Sequence, residues 1–323
     1  MKILVTGGSG FIGSNLVEYF FKAGHSVLNL DINEPTNSCS TVMYKKIDIL
    51  DYEKLLKAFS DFKPDYVVHL AARTDLKGIK ESDYEANIDG VKNVVRVCSI
   101  LTGIKRVIFS STMLVNRVGY EPNGAQDYNP TTIYGESKVK GELIIQEAAR
   151  DLEDYCVVRP TSIWGEWFAA PYSDFFKYVL SGLYFHPGNK ACTKTYGYVG
   201  NVVYQIDRIL FSQSPGLKGK VFYLGDRPAT NISEWADEIA TIADVRRPLR
   251  PPFLVFRCLS LVGDILGLVN IQFPLSSFRL KNMTTNNVVD LDSTYEVCGQ
   301  VPYSRLEGVR RTCEWLSAQG RLD

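Results

Sequence analysis

The stretch ILVTGGSGFIGSNL, residues 3–16, decides the fold. A short β-rich run ends in a glycine cluster, and an apolar pattern of helical spacing follows it. Gly8, Gly10 and Gly13 fit G-x-G-x-x-G, and Gly7, Gly10 and Gly13 fit G-x-x-G-x-x-G. Glycines so placed allow a tight turn, close approach of backbone to a pyrophosphate, and close helix–strand packing. The helix that opens at Phe11 and Ile12 would supply free N–H groups and the positive end of its dipole. The next apolar run closes on Asp31, roughly 20 residues on, where an acid can accept both ribose hydroxyls of an adenosine. Asp31 would repel a 2′-phosphate, and no arginine stands beside it in sequence to reverse that. NAD is therefore expected rather than NADP.

The pattern continues outward. Residues 2–6, 26–31, 42–48, 66–71, 106–111 and 155–160 read as strands, most of them near-continuous apolar runs of the kind covered on both faces. Helical patterns lie between them, near 11–23, 51–61, 83–102 and 133–150. This alternation predicts an α/β fold, a Rossmann-type doubly wound parallel sheet. After about residue 165 prolines and aromatics increase, with helices near 172–183, 197–213 and 231–244 around a strand at 220–225. Residues 1–165 are read as an NAD-binding domain. Residues 166–323 are read mostly as a smaller substrate-binding domain, partly interleaved with the first.

Composition narrows the function classes. The 323 residues carry 36 Lys+Arg and 36 Asp+Glu, so no net charge draws the chain to nucleic acid or to a membrane. The seven cysteines form no C-x-x-C pair and the three histidines have no ligand spacing, so neither a disulfide framework nor a metal site is expected. The start, MKILVTGG, lacks the features of a signal peptide, and a cytoplasmic protein is expected. Residues 252–270, PFLVFRCLSLVGDILGLVN, are apolar, but Arg257 and Asp264 interrupt them, so no span is expected. Arg257, Ser260 and Asp264 form one polar stripe; Leu254, Cys258, Leu261, Ile265 and Val269 lie on another side. The reading is an amphipathic helix packed on its own domain, with a helix lying on a membrane surface as the alternative.

In TIYGESKVKGE, residues 132–142, Tyr134 precedes Lys138 by four. On a helix the two share a face. A free phenol has a pKa of about 10, and a nearby cation favours its ionised form. The pair suits a phenol acting as a base; a solvated helix face is the plain alternative.

Together these residues resemble the extended short-chain dehydrogenase/reductases, especially the NAD-dependent epimerase/dehydratase group acting on nucleotide sugars. TGGSGFIG (6–13) looks like that family's cofactor loop, DILD (48–51) like its adenine-contacting segment through Asp48 and Ile49, and HLAA (69–72) like the strand end beneath the cofactor. The last places Leu70, Ala71 and Ala72 at the cofactor. ANIDGVKNV (86–94) carries Asn87 at the family's structural asparagine. FSSTMLV (109–115) resembles the strand bearing the catalytic Ser or Thr, with Ser110 at the cofactor and Thr112 in the catalytic place; a packed strand end is the other reading of Thr112. YGESK is the family's Y-x-x-x-K, and VVRPTSIWG (157–165) matches its nicotinamide-side segment through Pro160.

The resemblance implies that Tyr134 is the general base and acid. Lys138 would hold the nicotinamide ribose and, with the positive ring, lower the tyrosine pKa. The sugar dehydratases carry an acidic pair where this chain has Met113 and Leu114, which disfavours dehydration. An epimerase is expected, acting through transient oxidation to a keto-sugar and return of the same hydride. Its substrate would be a nucleotide sugar, a UDP-hexose or its N-acetyl form, with C4 the centre. The alternatives are an NAD-dependent dehydrogenase or reductase of a keto-sugar or hydroxysteroid-like alcohol, and a cofactor-sensing regulator without turnover.

Two departures lie near the sugar: Val115-Asn116-Arg117 where the family has VYG, and Ser162 where asparagine is common. KTYGYVGNVV (194–203) resembles the phosphate segment, placing Lys194 and Tyr196 near a diphosphate, and Arg279 is a second cation for it. Trp164, Trp167, Phe168 and Tyr172 would line a pocket or build core. The family commonly dimerises through helices corresponding to 83–102 and 133–150, so a homodimer is expected.

Overall fold

The computed structural model describes residues 1–35, 43–170, 172–268, 271, 273 and 275–320. Six strands and four α-helices build the first half among the described residues. They run β1 (Lys2–Thr6), α1 (Phe11–Lys22), β2 (Ser26–Asp31), β3 (Tyr44–Lys46), α2 (Tyr52–Phe62), β4 (Tyr66–His69), α3 (Val91–Ile100), β5 (Arg106–Ser110), α4 (Ile133–Glu147) and β6 (Tyr155–Pro160). Beyond them come β7 (Ser162–Trp164), α5 (Tyr172–Leu180), β8 (Thr193–Lys194), β9 (Tyr196–Tyr198), α6 (Val199–Phe211), β10 (Val221–Leu224), β11 (Thr230–Asn231) and α7 (Ile232–Ile242). The chain continues through α8 (Phe253–Leu268), α9 (Ser277–Thr284), α10 (Asp292–Cys298) and α11 (Arg305–Ala318).

Seven strands form one parallel sheet in the order β10-β6-β5-β4-β1-β2-β3. The near-continuous apolar strands are covered on both faces, as their sequence demands. Ile3 and Val5 enter one core cluster and Leu4 the other, so successive residues of β1 feed opposite sides. This is the expected Rossmann-type doubly wound fold. The seventh strand comes from beyond residue 165: Val221 pairs with Val157 and Leu224 with Pro160.

Two expected elements differ. The strand expected over 42–48 pairs only at Tyr44–Lys46, and Val42 lies outside the described residues. The single helix expected over 83–102 is a 3-10 turn at Glu81–Tyr84, a π turn at Ala86–Gly90, and then α3. The wide turn falls where Asn87 spends its amide inside the protein, on the backbone of Arg73 and on Ser137 Oγ at 2.9 Å. Helix α4 begins with a side-chain cap, since Thr132 Oγ1 accepts from Gly135 N at 3.0 Å.

The helix expected over 252–270 does form, but it buries a narrow line of Phe256, Ser260 and Gly263 and not its apolar side. Val269 and Asn270 lie outside the described residues. Of the expected polar stripe only Ser260 is buried; Arg257 and Asp264 are exposed, and Asp264 Oδ1 accepts from Ser277 N at 3.0 Å. Leu254, Leu261 and Ile265, expected to pack on the domain, are exposed. The reason is that the loop and helix beyond α8 cover it with serine hydroxyls and backbone, which its small and polar side accommodates.

Candidate active site

The site gathers at the carboxyl ends of the central strands, where open α/β sheets place their ligands. Gly7 follows β1 with φ +75°, and a Cβ on it would lie 2.5 Å from Ala71 N. A Cβ on Gly13 would lie 2.1 Å from Gly7 O. The loop is therefore packed to its own backbone, and only glycine fits at these two places. Gly10 is the residue before α1, and Phe11 and Ile12 in its first turn pack against the core. Leu70, Ala71 and Ala72 leave β4 alongside this loop, half-buried.

Asp31 ends β2 beside the loop. One carboxylate oxygen accepts from Ser9 N at 3.0 Å and the other from Asn33 N at 2.9 Å. Among the described residues no ion pair reaches it. Asp48 is exposed, and Oδ1 accepts from Leu50 N. Ile49 turns its side chain into the core beneath Gly90, so the Asp48 carboxylate is what this segment offers a ligand. These residues fit NAD: a backbone cradle at a helix N-terminus, with a carboxylate free of arginine at the end of β2. Asp31→Ala should weaken NAD at least about tenfold while changing NADP little, because the ribose hydroxyls lose a charged acceptor. Isothermal titration with both cofactors checks this, and equal losses would remove Asp31 from the ribose.

Thr112, Tyr134 and Lys138 come together from β5 and α4. All three are buried. The Thr112 side chain lies close enough to the Tyr134 hydroxyl to favour its ionised form, and Lys138 Nζ donates to Ser110 O at 2.8 Å. Burial pushes the Tyr134 phenol up to about 12, with Thr112 opposing. The lowering expected of Lys138 is one it would share with the positive nicotinamide ring; in the protein alone its ammonium is directed at the Ser110 carbonyl. Burial also pushes Lys138 down to about 8, with Glu142 opposing.

Sequence reading missed three neighbours. The Tyr84 ring lies 6.0 Å from that of Tyr134, its hydroxyl held by Asp75 O at 2.7 Å. His69 is paired to Thr6 Oγ1 at 2.7 Å and is held neutral, down to about 3, by burial and then by Lys138. Asn287 arrives from the far end of the chain, with Nδ2 3.7 Å from Met113 Sδ and Oδ1 accepting from Gly119 N. No local pattern marks a residue whose role is set by a contact across 174 positions.

The ammonium of Lys138 has a thermodynamic consequence. Its folded value, about 8, lies below the unfolded value of about 10.4. Below pH 8 the folded state carries the full penalty, and the penalty fades as pH rises toward the unfolded value. Lys138→Met should therefore stabilise the cofactor-free protein at pH 7 by about 1–2 kcal/mol, after the lost hydrogen bond is discounted. The gain should vanish by about pH 10.5. Thermal melts across pH test this; a lower melting temperature at pH 7 would reverse the assignment.

The remaining expected residues are dispersed. Pro160 ends β6, half-buried. Ser162 is buried and its Oγ accepts from Tyr172 OH at 2.7 Å. Lys194 Nζ donates to Asn282 O at 2.6 Å, and burial lowers its pKa. Tyr196 is buried with its ring 4.8 Å from Trp235, in the aromatic core. Trp164, Phe168 and Tyr172 belong to the same packing, and Trp167 stands against Trp315. Arg279 lies exposed in the first turn of α9. Among the described residues no His, Cys, Asp and Glu group could hold a metal.

The model of the NAD-dependent epimerase/dehydratase family matches residues 3–225. The N-acetyl-α-D-glucosaminyl-diphospho-ditrans,octacis-undecaprenol 4-epimerase of Escherichia coli O157:H7 is 26% identical, over 100% of this chain and 97% of its own. The UDP-glucose 4-epimerase of Vibrio cholerae is 26% identical, over 99% and 97%. The solved UDP-glucose 4-epimerase of Thermotoga maritima, with UDP-glucose, superposes with a TM-score of 0.76 at 23% identity and covers 99% of each chain.

Proposed function

We propose, for a chain that belongs to the NAD-dependent epimerase/dehydratase family, the activity of a 4-epimerase on a hexose carried by a diphosphate, a UDP-hexose or its N-acetyl form first. The observation that carries the reading is the burial of Thr112, Tyr134 and Lys138 together, with Lys138 Nζ on Ser110 O, in a chain whose Gly7 and Gly13 admit no side chain. NAD, the family's cofactor, supplies a hydride acceptor that also gives the hydride back.

The chain's own residues do the rest. Gly7, Gly10 and Gly13 with the start of α1 would hold the pyrophosphate, Asp31 the adenosine ribose, Asp48 the adenine and Lys138 the nicotinamide ribose. Asn87 acts at one remove, fixing Arg73 and α4. Tyr134 takes the proton of the sugar hydroxyl and later returns it, with Thr112 orienting that hydroxyl. Met113 and Leu114 follow Thr112 with no carboxylate to move a second proton, which favours epimerisation over loss of water. Thr112, Ser162, Lys194 and Arg279 are the groups proposed for the sugar and its diphosphate, and a homodimer is proposed as the assembly. The smaller C-terminal part would bind the substrate.

What carries the diphosphate is a second question. One full-length relative is named for a UDP-sugar and one for a polyprenyl-diphosphate sugar, at equal identity. Lys194 is a point charge and lacks the fork of an arginine, so it suits either carrier. Proton NMR of the protein with UDP-, GDP- and dTDP-sugars and a short-chain polyprenyl-diphosphate hexose, without reductant, tests the reading. Conversion of one sugar to its C4 epimer with no net NADH is expected. Net NADH with no epimer would replace the epimerase by a dehydrogenase.

A further inference from the structure

Helix α8 presents the wrong face to water for a self-contained domain. Its buried residues are Phe256, Ser260 and Gly263, one narrow line at helical spacing. A Cβ on Gly263 would lie 1.8 Å from Leu275 O, so the chain beyond the helix closes on that line. The opposite side is apolar and exposed along its length of about 24 Å. Leu254 is 66% exposed, Ile265 64% and Leu268 85%, with Leu259, Leu261 and Val262 between them. The surface continues past the helix start: exposed Phe185 bridges exposed Leu249, and Gly188 N donates to Pro251 O at 2.9 Å. A continuous apolar surface of this kind marks an interaction site.

The charge around it identifies the partner. Residues 246–268 hold four arginines, Arg246, Arg247, Arg250 and Arg257, and one acid, Asp264. Arg250 pairs with Asp237, and Asp264 caps the chain at Ser277. Arg246, Arg247 and Arg257 are exposed and have no ion pair among the described residues. An apolar strip edged by unpaired arginines fits acyl chains below anionic headgroups. A second copy of the same face would bring these arginines into one contact with their own duplicates. No helix among the described residues is long and apolar enough to cross a membrane.

We propose that the outer face of α8 docks on the surface of an anionic lipid bilayer. The docked helix adjoins the catalytic residues through one short segment. Helix α9 packs on α8 and offers Asn282 O to Lys194, and Asn287 just beyond it touches Met113, next to Thr112. The docking itself requires no particular substrate.

Co-sedimentation of the full chain with vesicles tests the proposal. The vesicles are equal parts phosphatidylglycerol and phosphatidylcholine, against phosphatidylcholine alone. The wild type should bind the anionic vesicles at least about tenfold more tightly than the neutral ones, and less tightly as salt is raised. Leu261→Glu with Ile265→Glu should lose at least about tenfold, as should Arg246→Gln, Arg247→Gln and Arg257→Gln together. All five side chains are exposed, and thermal melts confirm that the variants fold. A wild type that stays in the supernatant, or a double-glutamate variant that binds as well, overturns the proposal. So does a wild-type mass in sedimentation velocity that halves in the double-glutamate variant without any vesicle binding, which gives the face to a second copy.

Discussion

Tyr134→Phe should lower turnover at least about 10³-fold while leaving NAD affinity within a factor of about two. The substitution removes one oxygen and little else. The ring remains buried beside Tyr84, so packing is kept. Thr112 loses a neighbouring hydroxyl, but its Oγ1 still accepts from Leu114 N at 3.2 Å. Turnover near the wild-type level would remove Tyr134 as the acid and base. The same residue carries a pH prediction. Burial holds the phenol at about 12 in the protein alone, too high for a base near neutrality. A positive charge must be brought beside it, and the oxidised cofactor has one where the reduced cofactor has none. Ultraviolet titration of the tyrosinate, as a difference between wild type and Tyr134→Phe, should find a lower pKa with NAD than with NADH. Equal values in the two complexes would mean that the ring charge does not tune the base.

The order in which these features became legible follows the range of the forces involved. The glycine loop and Asp31 were readable because the cradle is local: strand, turn and helix lie within a few residues, and only glycine fits where Gly7 meets Ala71 and Gly13 meets Gly7. The parallel sheet followed from alternation, because parallel strands need crossovers and the crossovers are helices. That Thr112, Tyr134 and Lys138 would gather could be anticipated only through family likeness, since the end of β5 and α4 meet in space and not in sequence. For α8 the apolar side was expected to pack inward, and the helix instead buries a narrow line of Phe256, Ser260 and Gly263. Which stripe faces inward depends on what the following chain brings, and here Ser277 and the backbone near Leu275 bring polar atoms.

Glu142→Ala should cost about 3–5 kcal/mol of stability, measured by urea unfolding. Arg159 is the last residue but one of β6, directly after the apolar run Val157-Val158, and its side chain is fully buried. Glu142, one turn beyond Lys138 on α4, meets it in a two-pronged contact, Nε to Oε1 at 2.9 Å and Nη2 to Oε2 at 2.7 Å. The remaining donors are also used: Nη2 reaches Ala125 O at 2.6 Å and Nη1 reaches Tyr223 OH at 3.0 Å. Tyr128 OH donates to Glu142 Oε2 at 2.9 Å. One guanidinium thus fastens α4, β6, β10 and the loop before α4. Removing the carboxylate leaves a desolvated cation without its counter-charge, a far larger penalty than the loss of a surface pair. Because α4 also carries Tyr134 and Lys138, activity should fall with stability, yet NAD should restore part of both by mass action. The double variant Glu142→Leu with Arg159→Met separates the pair's net worth from the penalty of breaking it. It should recover most of the loss, since an apolar pair of similar volume often matches a buried ion pair. A double variant no more stable than Glu142→Ala would show instead that the bonds to Ala125 and Tyr223, not the unpaired charge, hold this layer together.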